Sequence, residues 1–247
     1  MSRISMMSWL FFLFMSFSFG VSARSFHDVL LSLEWRPVVT LSVGGSDARN
    51  MARTQTLSAN SESAIYAFTP HQPSSPQPLL GAYASFEHPL SENKFLQLGV
   101  SYFQPYTSKV LGNVSSTSAS QPLALYRYTV NLQQLLAESK FIYKMGRYMP
   151  YLATGLGVGW IETGSFSSTL PTKLSLGSST TSNLSFGVET GVDITCSLRV
   201  CLGFGYRFMY FGKYETKSGH TKIFSELGSL NAPHIYANAL IVHLRFT

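Results

Sequence analysis

Residues 183–194 read NLSFGVETGVDI, and their alternation decides the fold. Neighbouring side chains on a β-strand point to opposite faces. Leu184, Phe186, Val188, Thr190, Val192 and Ile194 therefore share one face, and Ser185, Gly187, Glu189, Gly191 and Asp193 share the other. A face bearing two carboxylates cannot meet lipid, so it must line an interior. The opposite face is apolar enough to meet lipid. That pairing of faces is the signature of a membrane β-barrel. Stretch 200–211 behaves alike: Leu202, Phe204, Tyr206, Phe208 and Tyr210 oppose Gly203, Gly205, Arg207 and Met209. In stretch 235–246, Tyr236, Leu240, Val242, Leu244 and Phe246 oppose Ala239, Ile241, His243 and Arg245.

Working back toward the N-terminus, five more stretches repeat the pattern. Val39, Leu41 and Val43 alternate with Thr40, Ser42 and Gly44. Leu80, Ala82, Ala84 and Phe86 alternate with Gly81, Tyr83, Ser85 and Glu87. Leu96, Leu98, Val100 and Tyr102 alternate with Gln97, Gly99, Ser101 and Phe103. Leu135, Ala137, Phe141 and Tyr143 oppose Glu138, Lys140, Ile142 and Lys144, and Leu152, Thr154, Leu156, Val158 and Trp160 oppose Ala153, Gly155, Gly157 and Gly159. The predicted fold is all-β, a transmembrane antiparallel up-and-down barrel of about eight strands. Each strand is near the roughly 9–11 residues that a tilted strand needs to cross a bilayer. The connections alternate in length. Long polar segments at 46–78, 104–133, 161–182 and 212–234 follow one end of the strands. Short turns at 89–94, 146–147 and 197–200 follow the other. Long external loops and short periplasmic turns are the outer-membrane pattern.

The rest of the chain agrees. Residues 1–23 read as a cleaved signal peptide: Arg3, the apolar run WLFFLFMSFSF at 9–19, then Val21-Ser22-Ala23. Residues 24–36 form a lead-in of mixed periodicity, and 37–247 form the barrel. Charged residues are 12% of the chain, against a usual value of about 25%. Aromatics reach 14% and gather near strand ends, where interfacial girdles sit. The net charge of +6 invites a nucleic-acid reading, but export and the scatter of Lys and Arg argue against it. A soluble lipocalin-like barrel is the rival architecture. It would put the apolar faces inside, with Glu189 and Asp193 outside.

The PVVTLSVGG stretch at 37–45, YLATGLGVGW at 151–160, FGVETGVDI at 186–194 and the aromatic last strand carry a family resemblance. Together with the signal, they resemble the small outer-membrane β-barrel superfamily, which includes opacity-type proteins and the barrel domain of outer-membrane protein A. The resemblance covers most of 37–247. It implies residence in the cell outer membrane, contact with outer-membrane lipids and lipopolysaccharide, and handling by the barrel-assembly machinery. Four long polar loops on a rigid scaffold are where recognition usually sits, so an extracellular or host ligand is expected at the loops, and no nucleic acid. Members of the superfamily end on an aromatic residue that the assembly machinery reads. Here Phe246 is penultimate, and the candidate signal is Tyr236, Leu240, Val242, Leu244 and Phe246. Some members hydrolyse lipids with a Ser/His pair at the outer rim, and His220 and His234 fall near that rim.

Chemistry is otherwise sparse. Six histidines lie far apart without metal spacing, and no GxSxG elbow occurs. We therefore expect no enzyme activity, no cofactor and no metal. Glu138, Lys140, Glu189, Asp193 and Arg207 face inward and form a candidate lumen charge network. An eight-stranded barrel has an interior just wide enough to be filled by side chains. Charges placed there must pair. Cys196 and Cys201 flank a four-residue turn and are a candidate disulfide. Val188→Arg should be costly, and Gly187→Ser, facing the lumen, mild. The reading is a surface scaffold with long loops. A narrow passive channel and a lipid hydrolase stand as alternatives.

Overall fold

The computed structural model describes residues 35–49, 54–58, 65–71, 76–116, 122–169, 175–220 and 230–247. The expected signal segment 1–23 and most of the expected lead-in 24–36 lie outside these residues. In chain order the strands are β1 (Arg36–Arg49), β2 (Gln55–Ser58), β3 (Ile65–His71), β4 (Gln77–Ser91), β5 (Lys94–Pro105), β6 (Ser108–Ser116) and β7 (Pro122–Tyr143). Then follow β8 (Tyr148–Ser168), β9 (Ser175–Gly177), β10 (Ser179–Thr195), β11 (Val200–Glu215), β12 (Lys217–His220) and β13 (Asn231–Phe246).

Eight of these close a ring in the order β1, β4, β5, β7, β8, β10, β11, β13 and back to β1, with every pairing antiparallel. Closure leaves no unpaired edge in the ring, as a lipid-embedded sheet requires. The predicted faces hold. Val39, Leu41 and Val43, with Leu152, Leu156 and Val188, are exposed on the outside. Thr40, Glu138, Glu189 and Asp193 are buried inside. An apolar outside and a charged inside rule out the lipocalin-like arrangement. Polar groups on the outer wall pair with neighbours: Thr190 Oγ1 donates to the Tyr151 carbonyl at 3.2 Å, and Tyr206 OH to Asn238 Oδ1 at 2.6 Å.

The long connections differ from expectation, because strands continue through them. β7 and β8 outrun the hydrophobic band. Past Leu135 the outward side chains of β7 turn polar, through Gln133, Asn131, Thr129 and Arg127. β5 leaves β7 at the Phe103–Gln134 pair, and β6 takes over from Ser108–Val130. β3 pairs with β6, and β2 with β3, so one side of the barrel rises as a wall. Its inner face is packed with Phe68, Val110, Val114, Tyr126, Tyr128 and Val130. Lys109, Leu111, Leu125 and Arg127 are exposed on its outer face. β9 and β12 pair as a separate ribbon.

The opposite end is built of tight turns. Gly146 sits at φ 63°, in the left-handed region that glycine adopts freely, and lets the β7–β8 chain reverse at once. The β10–β11 turn holds the cysteines, and both are free thiols. The structure shows no Cys196–Cys201 bridge. Cys201 pairs across the ladder with Thr195, not Cys196. It points inward against Ile142, Met149 and Tyr151. Cys196 lies one residue on, in the turn, and is exposed. A one-residue offset turns a side chain to the other face. A bulky, impermeant polyethylene-glycol maleimide should leave intact cells unlabelled. It should add one label per chain once the outer membrane is permeabilised, and a second only on denaturation. Labelling of intact cells would place the short turns on the outside.

Candidate functional site

The lumen is filled in two storeys. The lower one, toward the short turns, is ionic. Arg207 on β11 donates from Nη2 to Glu138 Oε2 on β7 and from Nη1 to Glu189 Oε2 on β10, each at 2.8 Å. The register sets the second contact, since Glu189 pairs directly with Arg207 across the β10–β11 ladder. Phe103 lies under the guanidinium, 3.7 Å from Cζ to the ring centroid. Ser101 Oγ and Tyr151 OH donate to Glu138 and Glu189, each at 2.7 Å. Lys140 Nζ reaches Asp193 Oδ2 at 3.1 Å and stands 3.6 Å over the Tyr151 ring. The structure thus brings together Glu138, Lys140, Glu189, Asp193 and Arg207 in two linked groups.

Sequence reasoning missed three members. His243 Nε2 lies 2.7 Å from Asp193 Oδ1, and Arg245 Nη1 lies 3.5 Å from Asp193 Oδ2. Arg245 also pairs through Nη2 with Glu87 on β4, which accepts a 2.8 Å bond from Gln97 Nε2. Arg245 sits on β13, so it ties that strand across β1 to β4 and across β11 to β10. The signal was present. Glu87, His243 and Arg245 all fall on the inward phase of their alternations, where any charge has to find a partner. Lys144, the next charge on the inward phase after Lys140, escapes the network because β7 ends at Tyr143, and it is exposed.

Glycine makes the room for this cluster. A Cβ at Gly187 would stand 2.9 Å from Arg207 Nη2 and 3.1 Å from Leu136 Cδ1. The mild cost expected of Gly187→Ser is therefore revised upward, since the added side chain would press on the guanidinium.

The upper storey is apolar. Leu132, Ile161, Met209 and Phe211 pack above Arg207, and Phe68, Tyr126 and Phe166 cap them within the raised wall. Tyr128 OH and Tyr214 OH share a 2.6 Å hydrogen bond in the cap. Burial pushes both phenols well above their ordinary value, so the bond forms between neutral hydroxyls. Both storeys are tightly filled: Arg207 is 1% exposed, Asp193 0% and Phe211 0%.

The remaining candidates do not join the network. Tyr236, Leu240, Val242, Leu244 and Phe246 lie on the outward face of β13. His234 is at the outer rim, its Nδ1 2.9 Å from Tyr210 OH. His220 falls in β12. Among the described residues no group of three His, Cys, Asp or Glu side chains could hold a metal.

A closed antiparallel ring with an apolar belt and ionic filling defines an outer-membrane β-barrel protein. Solved structures agree on the fold. The chain is similar to the outer membrane protein OprG of Pseudomonas aeruginosa (12% identity, 85% of this chain and 95% of that one, TM-score 0.51). It is also similar to the outer membrane protease OmpT of Escherichia coli (8% identity, 85% and 96%, TM-score 0.52). A Neisserial surface protein A structure aligns over 86% of this chain and 97% of its own at 12% identity, with a TM-score of 0.37. No family model matches the sequence, and no curated protein matches it.

Proposed function

We propose that the protein is a non-enzymatic scaffold of the outer membrane that holds its raised extracellular wall out for surface contact. The observation that carries this reading is the packing of the lumen. Ion pairs fill its lower half and apolar side chains its upper half, with Arg207, Asp193 and His243 each at or below 2% exposed. A conducting pore needs a continuous wetted path, and eight strands enclose only enough room for side chains. With the interior committed to packing, the surface free to act is the wall of β2, β3, β6 and β7. Recognition commonly sits on such elements held out by a rigid scaffold. The outer face of the wall offers Lys109, Leu111, Leu125 and Arg127. Arg127 is held in place by a 2.9 Å bond from Nε to Ser167 Oγ.

The test is conductance of the refolded, heat-modifiable protein in a planar bilayer. We expect silence. Reproducible current steps from folded protein would overturn the scaffold reading and make the narrow channel the function, with Arg207 and Asp193 lining its constriction.

A further inference from the structure

The charges outside the barrel are unevenly placed. At the short-turn end, Arg36, Lys94, Lys144, Arg147 and Arg199 are exposed. Among the described residues only one exposed carboxylate side chain, Glu92, stands with them, because Glu87 turns inward to Arg245. The far end is mixed: Arg49, Lys109, Arg127 and Lys213 share it with Asp47, Glu162 and Glu215. Each of the three short turns also carries an exposed apolar side chain, Leu90, Met145 or Leu198, the last fully exposed.

Backbone hydrogen bonds lace these turns into a belt. Lys144 N–H donates to the Asn93 carbonyl at 2.8 Å, Thr195 N–H to Arg147 at 2.9 Å, and Thr247 N–H to Arg199 at 3.1 Å. Three of the five cations therefore spring from residues fixed in the belt. Immediately above it, Tyr143, Tyr148 and Phe246 are exposed on the lipid-facing wall. The belt continues that wall into the headgroup layer of the inner leaflet, since short turns face the periplasm.

We propose that this rim is a binding collar for acidic phospholipids. The lipid phosphate would sit among Lys144, Arg147 and Arg199, and its acyl chains along the aromatic wall above. Alternation of cations with Leu90, Met145 and Leu198 fits an interface that is anionic and partly apolar. A polar polymer such as peptidoglycan would leave those three side chains in water. The inference is independent of what the extracellular wall contacts.

The experiment uses the full-length protein refolded into phosphatidylcholine bilayers. Spin-labelled phosphatidylglycerol or phosphatidylcholine is added in trace amounts, and the motionally restricted fraction gives relative association. We expect a several-fold preference for phosphatidylglycerol at low salt. It should fall toward unity in about 1 M NaCl, where charge attraction is screened within about 3 Å. Lys144→Gln, Arg147→Gln and Arg199→Gln together should abolish it. Lys109→Gln with Arg127→Gln, at the other end, should leave it intact. Heat-dependent gel mobility checks folding, and the salt titration decides on the unmodified protein if the triple variant does not fold. No preference in the unmodified protein would overturn the proposal. So would a preference that survives the triple variant, or one lost in the opposite-end pair. Sedimentation with purified sacculi through the same three cations, without a lipid preference, would assign the rim to peptidoglycan instead.

Discussion

Arg207→Met is expected to lower the stability of the folded barrel by about 3–5 kcal/mol, the loss typical of removing one partner of a buried ion pair. The guanidinium is 1% exposed and touches two carboxylates, Glu189 on the neighbouring strand β10 and Glu138 on β7. Methionine fills much of the same volume but leaves both acids charged and facing each other. Ser101 and Tyr151 still donate to them, which softens the loss without replacing a cation. Adding Glu138→Gln and Glu189→Gln should restore a large part of the stability, because a neutral, hydrogen-bonded interior needs no counter-charge. Urea unfolding of vesicle-inserted protein measures all three states. A single variant as stable as the unmodified barrel would show that the two carboxylates are not held as charged partners of Arg207.

Two arginine substitutions on the outer wall should differ sharply. Val188 faces outward near the middle of the lipid belt. Val188→Arg should cost about 2–4 kcal/mol, the penalty for a cation at the bilayer midplane. Leu125 is more exposed, at 60% against 39%. It lies beyond Arg127 on the raised part of β7, however, where the outward side chains are already polar. Leu125→Arg should cost about 0–1 kcal/mol, as near the interfaces. The same urea experiment compares them. Equal costs would mean that the lipid boundary does not fall where the outward face of β7 turns polar.

The barrel itself was legible because two solvents act on two faces. Lipid outside and packed charge inside impose a strict period of two, and the register of eight strands follows from it with little ambiguity. The wall was harder to read. Ser108–Ser116 and the first third of β7 also alternate, with Val110 and Val114, then Tyr126, Tyr128 and Val130, turned inward. Their outer face meets water, so Ser, Thr and Asn are tolerated there and the segment reads as loop. Partner choice inside the lumen was out of reach for another reason. Glu189 and Arg207 are ladder neighbours, so adjacent strands suggest them. Arg245 and Glu87 meet across β1, and Lys140 and Asp193 meet across β8. Such contacts depend on how the ring curves, which no single strand encodes. The cysteines failed on finer grain: sequence spacing gave the hairpin, but not which residue of the turn pairs with which.

Arg245 and His243 ride on β13, the last of the ring's strands in chain order. Before that strand docks, four carboxylates, Glu87, Glu138, Glu189 and Asp193, share only Lys140 and Arg207. A half-made cylinder thus carries surplus negative charge in what must become its dry interior, at several kcal/mol per uncompensated ion. Docking of the final strand supplies Arg245 to Glu87 and Asp193, and His243 to Asp193. Closing the seam and giving the last interior carboxylates their partners are then a single event. An unfinished barrel is marked by carboxylates without partners, and completion supplies them.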